Sequence, residues 1–423
     1  MAQAELKSAS LAQSIRFTLA AMVPNLVQGL FRRRAKAVRA ATRLNVDGRA
    51  IAAIGSIRRA HGPGPVWVKA GGERMLLLTR TDDIRRALEG SPEPFAPDPD
   101  AKRRGMSHFQ PDALTISRGE AWRNRRRFAE AVLDTSSPRH RLAERITSVA
   151  DEEVGSMLEE LGTQELTWDP WQRCGWRITR RLVLGDAARD DEQLTGLLAK
   201  LMDEANKLPK EGETSEHLEP FLAGVRRYLE AAESGSVAGL VGEAPSDEQT
   251  KVERQLTHWL FAMGDTLFIN AFRTLAMIAI YPGRGDLEAC LQETMRLWTT
   301  TPILSRETLE ETEWDGAKVP AGTQVLISNT FNHRDRQRHE GANRFEPEAW
   351  TEGDRASDWS LNHFSHGPQG CPGSSIALQV GTAAIGSLLE GKKIRLLSPN
   401  IDPTRPLPEM LDFFGIKLAL DDA

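Results

Sequence analysis

Cysteine is scarce in this chain. Three residues of 423, Cys174, Cys290 and Cys371, are too few and too scattered for a disulfide framework, which suits a reducing cytoplasm. A cysteine kept under those conditions is kept for its chemistry or its packing. Repeats and low-complexity blocks are missing, which excludes solenoid, collagen and coiled-coil architectures. No Pro/Gly/Ser-rich run is long enough for a flexible interdomain linker. Zinc-finger spacing and aromatic–basic stacking motifs are absent as well, so no nucleic-acid partner is expected. The N-terminal part lacks a long hydrophobic run: residues 17–31 (FTLAAMVPNLVQGLF) are interrupted by Pro24, Asn25 and Gln28, well short of the ~20 residues a span needs. No transmembrane segment is predicted there. Arg32, Arg33 and Arg34 follow it, and two readings stand: a docked surface helix, or an interfacial amphipathic helix giving weak membrane association to an otherwise cytoplasmic protein.

With 40% hydrophobic residues, 27% charged and a net charge of -5, the chain is globular, with ample length for a large core. Length alone allows two or three domains of ~150 residues. The near-neutral total hides an asymmetry, because residues 1–150 carry 27 Lys+Arg against 14 Asp+Glu and the remainder 27 against 45. Such a basic front steers an acidic partner or forms a solvated face.

Hydrophobic periodicity predicts helices over 81–88, 120–133, 138–161, 168–184, 191–208 and 216–232, and a long one after Ser246. Strands are few: 66–68 and 75–79 as a hairpin around Gly71-Gly72, and 324–328. In the long segment Ser246 and Gln249 read as a capping box, and Val252, Leu256, Trp259, Met263, Leu267, Ala271 and Leu275 keep helical spacing until Pro282. Roughly 35 residues would span about 50 Å. A helix that long predicts one continuous core.

The strongest chemical signal is Phe364-Ser365-His366-Gly367-Pro368-Gln369-Gly370-Cys371-Pro372-Gly373, followed by an apolar helical run over 374–389. Gly367 permits a close backbone approach and Gly373 tight packing of the next helix. Cys371 sits just ahead of a helix N-terminus, where free N–H groups favour a thiolate, and a thiolate facing a cavity is a metal ligand. The loop resembles that of the cytochrome P450 family, Phe-x-x-Gly-x-x-x-Cys-x-Gly. Glu293 and Arg296 are similar to the family's Glu-x-x-Arg pair. Ala262-Met263-Gly264-Asp265-Thr266 resembles its Ala-Gly-x-Asp/Glu-Thr, with Met263 in place of the usual Gly, which implies a narrower groove. Trp122 and Arg126 resemble its Trp-x-x-x-Arg, and Arg306 its arginine after the substrate-lining turn.

The resemblance implies a mainly α, single-domain cytochrome P450 fold: an orthogonal helical bundle with a small β region over residues 46–423, preceded by an amphipathic extension over 1–45. It implies haem b with Cys371 as iron ligand. Phe364, Gly367 and Gly373 shape the loop, Trp122, Arg126 and Arg306 hold the propionates, and Glu293–Arg296 forms a structural pair. Asp265 and Thr266 are the catalytic candidates. A Thr hydroxyl can hold a water and the neighbouring carboxylate relay protons; alternatively, Thr266 bonds back to its own helix and Asp265 faces solvent. Position assigns Phe95, Met106, Phe109, Leu114, Phe261, Ala262, Ile303, Leu304, Phe413 and Phe414 to an apolar substrate pocket, and core packing explains each equally well.

The implied activity is a monooxygenase that uses O2 and a ferredoxin- or flavodoxin-type redox partner on a hydrophobic small molecule. Arg123, Arg125 and Arg127 would form an acidic-partner patch or a solvated face. Alternatives are a peroxide-driven or oxygen-independent haem-thiolate enzyme, and an inactive haem or lipid binder. Departures at Gln369 and Ala349 keep the inactive binder open, and a short link after Pro282 bears on the redox partner. Gln369 replaces a propionate-binding cation, a role His363 or His366 would take over. Ala349 replaces the arginine of Phe-x-Pro-Glu-Arg, for which Arg344 or Arg334 would compensate, and only 11 residues link Pro282 to Glu293. A zinc site at His363, His366 and Cys371 lacks a fourth ligand. Cys174 and Cys290 read as structural.

Overall fold

A computed structural model describes residues 4–210 and 212–422; residues 1–3, 211 and 423, which belong to the extension and domain predicted above, lie outside the described residues. Two compact units make up the fold, and both are discontinuous in sequence. The first comprises Met1–Arg103, Met295–Cys371 and Pro406–Leu411; the second comprises Arg104–Thr294, Pro372–Arg405 and Asp412–Ala423.

The first unit begins with helices α1 (Leu11–Phe17), α2 (Val23–Gln28), α3 (Ala35–Arg43) and α4 (Val46–His61). Strands β1 (Val66–Ala70) and β2 (Glu73–Leu78) follow, turning at Gly71-Gly72, where both residues have positive φ. Helix α5 (Thr81–Glu89) and strands β3 (Phe95–Ala96), β4 (Ile303–Thr308), β5 (Thr312–Trp314), β6 (Ala317–Val319) and β7 (Gln324–Ser328) complete its main elements. The principal sheet has the order β1-β2-β7-β4-β3, with β2 and β7 parallel and the other pairs antiparallel. Its centre is apolar on both faces, so the two-residue alternation sorts side chains into two cores. Leu77 and Leu326 join Phe17, Ile54 and Ile57 on one side. Leu76, Leu78, Val325 and Ile327 join Ile84, Leu88, Phe95 and Trp314 on the other.

The second unit is helical. Its main helices are Gly119–Val132, Ala143–Leu161, Trp168–Leu184, Glu192–Ala205, Leu218–Ala231 and Ser374–Leu389, packed with a long helix, Val252–Ile280. An antiparallel pair, β8 (Lys392–Ser398) and β9 (Lys417–Asp422), belongs to it. The long helix has 29 residues and is apolar enough to cross a membrane, but 72% of its apolar window is buried, as in a core helix.

Two predicted boundaries are corrected. The long helix starts at Val252, because Asp247 Oδ1 accepts the N–H groups of Gln249 (2.9 Å) and Thr250 (3.0 Å) and Lys251 follows with φ 51°. The Ser246–Gln249 capping box therefore does not form; an Asp turn takes its place. The helix predicted from 138 starts at Ala143, since Asp134 Oδ2 accepts the Arg141 N–H at 2.7 Å and His140 Nδ1 that of Leu142 at 3.0 Å. The link after Pro282 is a short turn in which Asp286 Oδ1 accepts from Ala289 N (2.7 Å) and so caps helix Leu287–Leu297.

Candidate functional site

In the first unit the loop 364–371 lies against the end of α5. Gly367 has φ 68°, and a Cβ there would stand 2.6 Å from the Leu88 carbonyl oxygen, so both conformation and space demand glycine. The loop closes on itself: the Cys371 N–H donates to Phe364 O and the Gly370 N–H to Gly367 O, each at 2.8 Å. Cys371 is exposed, whereas Cys174 and Cys290 are buried. Burial pushes the Cys174 thiol strongly up, and Cys290 Sγ donates to Arg284 O at 3.1 Å. Among the described cysteines only Cys371 is exposed.

Gly373 behaves differently. A Cβ at Gly373 would meet Leu133 Cδ1 at 3.4 Å, an ordinary contact, so packing within this chain does not by itself require glycine there.

The loop's approach is braced by a residue that sequence reasoning passed over. His333 is fully buried. Its Nδ1 lies 3.1 Å from Arg296 O, and its Nε2 accepts the Asn362 N–H at 2.8 Å. Asn362 O in turn accepts the Ser365 N–H at 3.1 Å. Those partners fix the neutral tautomer protonated on Nδ1. Burial drives the ring's pKa well below 6.5. Glu293 and Arg296 are both fully buried, and Arg296 donates to the carbonyls of His333 (2.7 Å), Ala342 (3.0 Å) and Arg344 (3.1 Å).

Of the two arginines expected to compensate for Ala349, Arg344 contributes that carbonyl while its side chain is exposed. Arg334 is buried, donating to Leu297 O at 3.0 Å and Pro408 O at 2.9 Å. The carboxylate of Glu346 is met instead by Arg355 at 2.8 Å, which was not foreseen. Of the two histidines expected to stand in for Gln369's missing charge, His366 Nε2 meets Leu361 O at 3.1 Å, and the His363 ring packs against Trp350 and Phe364.

The unit's cations suit a group carrying carboxylates. Arg306 is buried, its Nε has no partner among the described residues, and burial lowers its pKa to about 10. Lys102 is lowered to about 7, first by burial and then by the charge of Arg306, with Asp98 opposing. Two mutually repelling cations in a dry region are costly unless anions join them. Gln369 Nε2 is a further buried donor without a partner among the described residues. Arg306 Nε and Gln369 Nε2 are thus donors of the kind that carboxylates, such as haem propionates, would accept from. Lys102 was not singled out, because beside Arg103 and Arg104 it reads as part of a solvated basic run. Phe95 packs edge-on to Trp314 at 5.6 Å, and Ile303 and Leu304 lie partly buried on opposite faces of the sheet.

In the second unit, Trp122 Nε1 is buried without a partner among the described residues. Trp122 and Arg126 line a cleft of ≈ 440 Å³ with Glu120, Arg123, Asn124 and Arg127, and Arg126 Nε pairs with Glu130 at 2.6 Å. Arg125 corrects the predicted patch. It is buried, donating to Gln249 O (2.9 Å), Ser117 Oγ (2.7 Å) and Asp112 Oδ1 (2.8 Å), which leaves Arg123 and Arg127 exposed.

Residues 262–267 of the long helix form a π-turn, a local widening frequent at functional sites. Thr266 Oγ1 donates to Ala262 O at 2.7 Å, as the helix-bonded reading expected, yet Asp265 is buried, against the solvent-facing half of that reading. Met263 is buried too, and the glycine has moved one place along: a Cβ on Gly264 would overlap the Trp176 ring. Phe109 meets Phe261 edge-on at 5.4 Å. Leu114 N donates to Gln255 Oε1 at 3.1 Å, and Met106 Sδ accepts from Thr115 Oγ1 at 3.6 Å. Phe413 and Phe414 gather instead on Trp168, at 4.6 and 6.1 Å.

Comparison with known proteins agrees with this arrangement. The Cytochrome P450 family model matches residues 287–405, the stretch holding Glu293, Arg296, Arg306 and the Cys371 loop. Cytochrome P450 4d1 of Drosophila melanogaster is 27% identical over 128 residues, 30% of this chain and 25% of that protein. Beta-amyrin 24-hydroxylase of Glycine max is 33% identical over 118 residues, 26% of this chain and 23% of that protein. These alignments span about a quarter of the relatives' length. The structure of retinoic acid-bound cyanobacterial CYP120A1 superposes with a TM-score of 0.68 at 17% identity, covering 87% of this chain and 94% of that one. The fold is thus that of a cytochrome P450, mainly α with a small β region. Over residues 287–405 the sequence is similar to the cytochrome P450 family as well.

Proposed function

We propose that the chain is a haem-thiolate monooxygenase that oxidises a hydrophobic small molecule with O2 and electrons from a ferredoxin- or flavodoxin-type partner. The observation that carries this reading is the Cys371 loop: a self-bonded turn that needs glycine at 367 and leaves one cysteine of three exposed. Haem b, when bound, supplies the redox-active iron, and a thiolate ligand pushes electron density toward it and so favours O–O cleavage. Cys371 Sγ would hold the iron. Arg306 and Lys102 of the first unit would bind carboxylates as charge-assisted donors; Trp122 Nε1 and Arg126 of the second unit are donors of the same kind.

Thr266 Oγ1 and the buried Asp265 carboxyl would hold and pass protons. The π-turn supports this assignment, because a widened turn frees backbone groups to hold a water. The aromatic and aliphatic residues around Phe109 and Phe261 would keep bulk water out. Three cysteines scattered along the sequence support placement in the reducing cytoplasm.

The test is the absorption spectrum of the reduced, CO-bound protein. A Soret band of thiolate-ligated haem is expected, and Cys371→Ser should abolish it while the protein stays folded. A wild-type band without thiolate character would remove the core of the assignment.

A further inference from the structure

Large hydrophobic side chains are not exposed at random on this protein. Of ten exposed ones among the described residues, seven lie on one short stretch: Leu11, Ile15, Leu19, Val23, Leu26, Val27 and Leu30. The same stretch buries its other face. Phe17 and Ala21 enter the core with Ile54, Ile57 and Val68, and Lys69 N donates to Ser14 Oγ at 3.2 Å. The preceding residues are laced to β1, with Trp67 N donating to Lys7 O at 2.9 Å and Ala9 N to Trp67 O at 2.8 Å. A wide π-turn at Thr18–Met22 joins α1 to α2, and the exposed residues recur at steps of three and four along it. The ridge is therefore apolar, rigidly mounted and turned to solvent, a combination that marks an interaction surface.

Charge identifies the occupant. No Asp or Glu lies between Glu5 and Asp47, whereas eight Lys or Arg do. Of these, Arg16, Arg32, Arg34, Lys36, Arg39 and Arg43 are exposed. A second copy of the chain seated on this face would bring two acid-free basic segments together. An anionic bilayer surface offers both complements, an acyl boundary for the aliphatic ridge and phosphate-rich headgroups for the cations.

We propose that the face built by residues 11–30, with the basic residues that follow, seats the protein on the surface of an anionic phospholipid bilayer. It lies on the membrane and does not span it, because its inner face is part of the core. This attachment does not depend on the haem assignment.

Co-sedimentation of the full-length holoprotein with phosphatidylcholine vesicles, with and without phosphatidylglycerol, tests it. Binding to the anionic vesicles should be roughly tenfold or more tighter and should weaken with salt. Ile15→Glu/Leu19→Glu and, separately, Arg32→Glu/Arg34→Glu should each weaken it by roughly tenfold or more. Both variants should keep the wild-type melting temperature and visible spectrum, since the replaced side chains are exposed. If the first pair misfolds, Leu26→Glu/Leu30→Glu takes its place. No anionic-vesicle binding, or equal binding by wild type and both variants, would overturn the proposal. So would a solution dimer, seen by light scattering, that Ile15→Glu/Leu19→Glu dissociates.

Discussion

His333 couples the end of helix Leu287–Leu297 to the cysteine loop through two hydrogen bonds that only its neutral form can make. Protonation at Nε2 would set an N–H against the Asn362 N–H that it now accepts at 2.8 Å. The folded ring's pKa lies well below 6.5 because of burial, with the charges of nearby His363 and Arg296 contributing. An unfolded His titrates near 6.5. Below that pH the unfolded chain takes up a proton the folded chain refuses, so stability present above pH ~6.5 is lost as pH falls, by at most about 1.4 kcal/mol per unit for one group. His140 and His339 are lowered as well, so the comparison must be with a variant. Urea unfolding from pH 7 to pH 5 should show a steeper loss for wild type than for His333→Gln; parallel slopes would remove His333 from this role.

At the scale of elements, legibility followed the strength of the apolar pattern. Helix Trp168–Leu184 matches its predicted span and Thr81–Glu89 differs by one residue, because long aliphatic side chains recur on one face. Helix Ala35–Arg43 buries only Val38 and Ala41, and helix Val46–His61 mixes Ala50 and Ala53 with Val46, Ile54 and Ile57, so few large apolar residues mark a face on either. Strand β8 (KKIRLLS) is only half-buried on alternate residues, and its pairing with β9 is non-local, so neither was legible. The cysteine loop was readable because its glycines and cysteine fall within one continuous stretch of sequence. Lys102, His333 and Arg355 were not, because their partners lie far away in sequence.

The π-turn in the long helix shows the same division, since the Ala262–Thr266 motif was visible but its contact with Trp176 was not. Gly264→Ala should cost about 1–3 kcal/mol through overpacking. Combining it with Trp176→Ala should recover part of that loss, an interaction of at least ~0.5 kcal/mol in denaturation midpoints. Strictly additive effects would mean that the ring does not press on this turn.

For the whole molecule, the charge asymmetry acquires two distinct addresses. The acid-free stretch 6–46 takes one share of the basic excess, and helix Gly119–Val132 another. Buried Arg125 is spent on Gln249, Ser117 and Asp112 and contributes little field outside. Arg126 is paired with Glu130, so the exposed cations of that helix are Arg123 and Arg127, both lining the cleft beside Trp122. Residues 151–423 carry an acidic excess that would repel an acidic electron carrier, so productive encounters should be guided to the basic helix. Rim charges of this kind act mainly on association rate and its salt dependence. Arg123→Glu/Arg127→Glu should therefore raise the KM for an acidic ferredoxin-type partner roughly tenfold at low ionic strength. The effect should shrink as salt shortens the Debye length from ~10 Å at 0.1 M to ~3 Å at 1 M. The reduced CO-bound spectrum should stay unchanged, because neither residue is assigned to the cofactor. A KM unaltered at low salt would place the electron donor on another face of the protein.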